Sequence, residues 1–162
     1  MLNDSLYIVL LGIGATVFMD LWALFLKISF GIPSLNYGLV GRWIGHILKG
    51  KWFHKAISES SPINAELSLG WVMHYLIGVV FAYVFVLIFG EGWFQSPTLF
   101  PALIFGLGTV VFPFFLMQPC FGMGIAASKL PTPNVARFRS LMAHGSFGFG
   151  LYISAYLFLI VS

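Results

Sequence analysis

The sequence predicts an all-α polytopic membrane protein. Four transmembrane helices form a bundle, and a short interfacial helix lies in the first cytoplasmic loop. Three observations predict it: the scarcity of charge, four long apolar runs, and the placement of every basic side chain. The 162 residues are 59% hydrophobic and 18% aromatic but only 8% charged. Soluble domains carry about 25% charged residues because a water-facing surface requires them. A chain this poor in charge has too little polar surface for water, so its main solvent is lipid. The mean hydropathy of +0.96 agrees.

Four apolar runs reach the roughly 20 residues that cross a hydrocarbon core about 30 Å thick. They cover about 6–26, 70–89, 98–118 and 140–161. Backbone polar groups in lipid must be satisfied within each segment, which makes these runs helices. The continuous apolar pattern excludes barrel strands, which alternate. The second and fourth helices are expected to start earlier, at 62 and 133, because Ser61-Pro62 and Thr132-Pro133 each read as an N-cap hydroxyl followed by proline at the first helical position. The first apolar run lacks a basic start and a small-residue cleavage site, so it reads as a retained helix. The chain is a single domain spanning residues 1–162.

Orientation follows from the cations. Lys27, Arg42, Lys49, Lys51 and Lys55 lie between the first two runs, and Lys129, Arg137 and Arg139 between the last two. The 2–3 loop carries only Glu91, and the termini only Asp4. The positive-inside rule places both basic loops in the cytoplasm and both termini outside, in a multi-pass inner-membrane protein. The first loop has internal order. Residues 36–48 place Leu39, Trp43 and Ile47 at helical spacing, which suits a helix lying in the interface. Its Gly41-x-x-x-Gly45 pattern suits close packing on another helix.

A weak repeat relates the halves 6–89 and 98–161. Gly12-x-Gly14-x-x-Val17-Phe18 recurs as Gly106-x-Gly108-x-x-Val111-Phe112. His74 and His144 each precede a glycine by four residues, Gly78 and Gly148. Each half would be a helix, a basic loop and a returning helix.

The segments GIGATVFMDLWAL (12–24), FGIPSLNYGLVGRWIGH (30–46) and GWVMHYLIG (70–78), with the long stretch 114–152, carry a resemblance. Together they resemble a family of small bacterial integral membrane proteins known only as a domain of unknown function. The resemblance covers nearly the whole chain. It implies a bacterial inner-membrane location and a four-helix unit, and it brings no activity, cofactor or catalytic residue.

Candidate chemistry lies near the cytoplasmic boundary. Asp20 is the only carboxylate inside an apolar run, seven residues before Lys27. That places it about 10 Å within the membrane at 1.5 Å per residue. A charge there costs about 2.5–3.5 kcal/mol or more, so the side chain should face a partner. Its functional reading is a proton relay or cation ligand, and its plain reading is an interhelical hydrogen bond. His74, His144 and Gln118 reach a similar depth from the other three helices, which defines a polar pocket of four residues. Two histidines at matched depth also suit axial haem ligation. With Asp20 they are candidate ligands for zinc or iron.

Arg42, Trp43, His46 and Arg137 are candidate contacts for an anionic headgroup or other anion. Pro113 should kink the third helix, and Pro119 should end it. The single cysteine, Cys120, excludes an internal disulfide and a cysteine metal cluster. The formal net charge of +3 does not point to nucleic acid. No nucleophile elbow, HExxH, phosphate loop or dinucleotide fingerprint occurs, which argues against a conventional enzyme.

The leading expectation is therefore a protein that binds or transports a small molecule or lipid through a cytoplasm-facing pocket centred on Asp20. The alternatives are a haem- or metal-binding redox protein and a non-catalytic accessory or assembly subunit. The sequence specifies no cofactor. Membrane lipids are the expected partners, with a second copy or another membrane subunit completing the path.

Overall fold

The computed structural model describes residues 4–161. Five principal helices account for most of them: α1 (Asp4–Phe30), α2 (Tyr37–Ile47), α3 (Glu66–Phe89), α4 (Leu99–Cys120) and α5 (Pro133–Val161). No strand occurs among the described residues. Four of these helices, α1, α3, α4 and α5, are long and apolar enough to cross a membrane. Between 28% and 39% of the most apolar stretch of each is buried within the chain. The remaining apolar surface, Leu87 (84% exposed) and Ile88 on α3 for instance, suits a lipid surround.

Two helix starts were expected at proline, and they differ. Helix α5 begins at Pro133, whereas α3 begins at Glu66, four residues after Pro62. Ala65 adopts a left-handed φ of 57°, which keeps the preceding segment out of the helix. The Glu66 carboxylate instead accepts a bond from the Ile63 amide (3.2 Å). Helix α2 has a clear cap at each end. The Asn36 side chain accepts from the Gly38 amide at 3.0 Å. At the other end Gly50, at φ 78°, and Lys51 donate to the carbonyls of Ile47 and His46, forming a Schellman turn.

Helix α4 is irregular where Pro113 falls. A turn interrupts it at Thr109 and Val110, and residues Pro113–Met117 form a π-helical turn. Proline cannot donate to the Thr109 carbonyl four residues back, and the wider turn absorbs the missing bond. The helix ends at Cys120, one residue after Pro119.

The chain divides into two compact units, each drawing on both sequence halves. The first comprises 1–34, 75–109 and 142–162, and the second 35–74 and 110–141. In the first unit Leu11, Ala15, Ala82, Phe85, Ala102, Leu151 and Ala155 are wholly buried. In the second, Tyr37, Val40, Trp43 and Ile57 pack with Cys120 and Phe121.

Candidate functional site

In the first unit small residues bring α1 against α3. A Cβ on Gly12 would lie 2.6 Å from the Val79 Cα, and one on Gly78 would strike the Thr16 hydroxyl. These contacts let the two backbones approach closely. Two turns along from Gly12, and one turn before Gly78, the next layer is polar. Tyr75 donates its phenol proton to the Asp20 Oδ2 at 3.0 Å. The crossing glycines thus place the carboxylate of one apolar span beside the phenol of another.

Helices α4 and α5 repeat the arrangement within the same unit. A Cβ on Gly106 would lie 2.5 Å from the Gly148 Cα and 2.6 Å from the His144 carbonyl. One turn along, Thr109 Oγ1 donates to the Gly106 carbonyl at 2.6 Å and contacts His144 Nδ1 at 2.6 Å. A hydroxyl has a single proton, so His144 Nδ1 is the donor to Thr109.

The second unit holds the other two predicted pocket residues. His74 Nε2 lies 3.0 Å from the Tyr37 hydroxyl, and the two rings pack at 4.3 Å with Trp71 alongside. Gln118 follows the π-helical turn and is 6% exposed. Its Nε2 donates to the Ser140 hydroxyl at 3.3 Å, while its buried Oε1 meets no protein donor. Asp20 and His144 therefore belong to one unit, and His74 and Gln118 to the other. Among the described residues, no three His, Cys, Asp or Glu side chains gather so as to hold a metal ion, Asp20, His74 and His144 included. Axial haem ligation through His74 Nε2 would require it to release Tyr37.

The candidate headgroup contacts are engaged within the second unit. Arg42 grips Glu66 with both arms of its guanidinium, at 2.9 and 2.8 Å. It also donates to the carbonyls of Ile57, Ser58 and Ser60. The bond to Glu66, and its negative charge, hold the Arg42 pKa above its ordinary value against the opposing effect of burial. Trp43 is 8% exposed and donates to the Trp52 carbonyl at 2.9 Å. His46 Nε2 bonds to the Ser61 carbonyl at 2.9 Å. Arg137 donates to the Ala126 carbonyl (2.8 Å) and the Asn134 side chain (2.9 Å).

A family model covers residues 9–158 of the chain. The chain belongs to DUF2938, a family described as a protein of unknown function. No curated protein and no solved structure matches it. DUF2938 membership therefore agrees with the resemblance read from the sequence but assigns no chemistry to Asp20 or the histidines.

The sequence reading singled out Asp20, His74, His144 and Gln118 but not the residues that meet them. Tyr75, Tyr37, Thr109 and Ser140 are ordinary polar residues of apolar segments, and no motif marks them. Glu66 had one available signal, as the acidic residue at the start of α3. His54, almost fully buried against Ser60, had none.

Proposed function

We propose that this protein binds and moves a small molecule or lipid within the inner membrane, with Asp20 as the group that engages the cargo. The supporting observation is the Asp20–Tyr75 pair, formed by two apolar spans at 3.0 Å. Of the five acidic residues only Asp20 lies inside such a span, because Glu66 opens one and the others fall outside. A carboxylate in lipid costs free energy that a purely structural contact rarely requires, and such residues commonly mark ion, proton or substrate paths. A phenol beside it supplies a donor that orients the carboxylate and can yield to a cationic or hydroxyl-bearing cargo. Both basic loops face the cytoplasm in this reading, as the positive-inside rule directs.

Native mass spectrometry of protein released from its own membranes tests the reading. The wild type should carry a bound molecule that Asp20→Asn loses and Tyr75→Phe retains weakly. Identical spectra for the three proteins, with only their stability changed, would leave a non-catalytic accessory subunit. A Soret band in protein from haem-replete cells would instead favour the redox alternative.

A further inference from the structure

We propose that the loop from Leu48 to Lys55 is a lipid anchor that inserts into an anionic leaflet. The proposal does not depend on the Asp20 reading. The loop presents three apolar side chains to the outside: Leu48 is 82% exposed, Phe53 70% and Trp52 52%. Lys49, Lys51 and Lys55 surround them and are also exposed, and the eight residues include no carboxylate. Exposed aromatic and aliphatic groups ringed by lysines match the two layers of a membrane surface, acyl chain below and phosphate above.

The second unit holds this loop at the ends of two candidate spans. At its start, the Schellman turn closes α2, and Gly41 and Gly70 let α2 lie directly on the first turns of α3. The Arg42–Glu66 pair fixes the same contact. At its end, the His54 amide donates to the Cys120 carbonyl at 2.9 Å, and the Ile57 amide to that of Phe121 at 3.1 Å. Glu66 opens one span and Cys120 closes another. The loop therefore sits at the level where a membrane-spanning helix meets the headgroups. Trp43 holds the Trp52 carbonyl, so the tip is braced from within while its side chains point outward. Tryptophan is enriched at this interface because an amphipathic ring fits headgroup depth.

Each lysine near an anionic surface contributes about a fivefold preference, so three give on the order of a hundredfold in the inserted-to-free ratio. The full chain in lipid nanodiscs tests this. Phe53→Cys supplies an exposed thiol, since native Cys120 is buried, and an environment-sensitive dye is attached there. In discs containing phosphatidylglycerol its emission should shift to the blue and be quenched by lipids brominated near the headgroup. Phosphatidylcholine alone, or replacement of Lys49, Lys51 and Lys55 by glutamine, should reduce both effects at least tenfold. Hydrogen exchange of the same segment in the unsubstituted protein should slow with phosphatidylglycerol, which guards against damage from the cysteine. A dye that stays in water in both lipids overturns the proposal. So does insertion that ignores lipid charge, or protection that appears only when soluble protein is added.

Discussion

Arg42, a candidate anion contact in the sequence, also organises the fold through its pairing with Glu66. Arginine offers five donors in a rigid fork, and here they reach a carboxylate and three carbonyls of residues 57–60. The pair is 14% and 23% exposed, so water replaces a lost partner poorly. Arg42→Ala or Glu66→Gln should destabilise the protein by about 1–3 kcal/mol, read from unfolding in a mild detergent titrated with a denaturing one. Arg42→Lys should recover only part, because an ammonium cannot span the same acceptors. Equal stability for Arg42→Lys and the wild type would show that the fork geometry is unimportant. The sequence marked Arg42 as a contact for an anionic headgroup or other anion and gave no sign of its pairing with Glu66. Which side chains meet across a bundle depends on helix rotation. Helices such as α1 and α3 are apolar on nearly every side, so rotation leaves no pattern along them. Tyr75 and Thr109 were hidden for that reason, although Asp20 stood out by cost alone.

His54 gives the segment between α2 and α3 a pH-sensitive support. Its ring is 7% exposed. Its Nδ1 lies 2.7 Å from the Ser60 hydroxyl, which also sits 3.4 Å from the Ala56 carbonyl. Nε2 is buried and makes no hydrogen bond among the described residues, and a backbone contact with Lys51 only partly favours the protonated ring. Burial first, then the charges of Lys51 and His46, hold the His54 pKa below its ordinary 6.5. The unfolded chain therefore binds a proton at higher pH than the folded one. This stabilisation is fully present above about pH 6.5 and is lost as pH falls through the lowered folded value. Unfolding midpoints should fall over that window in the wild type, and His54→Asn should flatten the slope. An unchanged slope in the variant would assign the pH dependence to other groups. Packing in the same unit depends on glycine. A Cβ on Gly41 or Gly70 would run into the backbone of the facing helix. Gly41→Ala and Gly70→Ala should each cost about 1–3 kcal/mol or more, measurable in the same titration, whereas Gly92→Ala, in open space, should cost little. The element boundaries were largely legible because membrane thickness fixes helix length. The start of α3 was not, since Glu66 caps the chain from a position that the Ser61-Pro62 signal cannot anticipate.

At the scale of the whole molecule, composition decided the solvent and charge placement gives an orientation. All eight Lys and Arg residues lie between the apolar runs read from the sequence, five from Lys27 to Lys55 and three from Lys129 to Arg139, with Lys27 in the last turn of α1 and Arg137 and Arg139 in the first turns of α5. The short 90–96 segment between α3 and α4 has none. Four crossings, an even number, would put both termini on one side and the two basic loops on the other. The two compact units do not coincide with the sequence halves, yet the residues the weak repeat equates behave alike. Gly12 with Gly78, and Gly106 with Gly148, each form a close helix approach. The polar pairs beside those approaches differ, carboxylate with phenol in one case and imidazole with hydroxyl in the other. The orientation is directly testable. A reporter that is active only outside the cytoplasm should be active when fused after Ser162 and silent when inserted near Lys51 or Lys129. Transferring the charge bias tests the cause as well. Replacing Lys49, Lys51 and Lys55 with glutamine while adding lysines beside Gly92 should weaken or invert that pattern, because the rule counts cations in short loops near the membrane. Reporter activity near Lys51 in the unaltered chain would place the basic loops, and with them the end of α1 that carries Asp20, on the outer side.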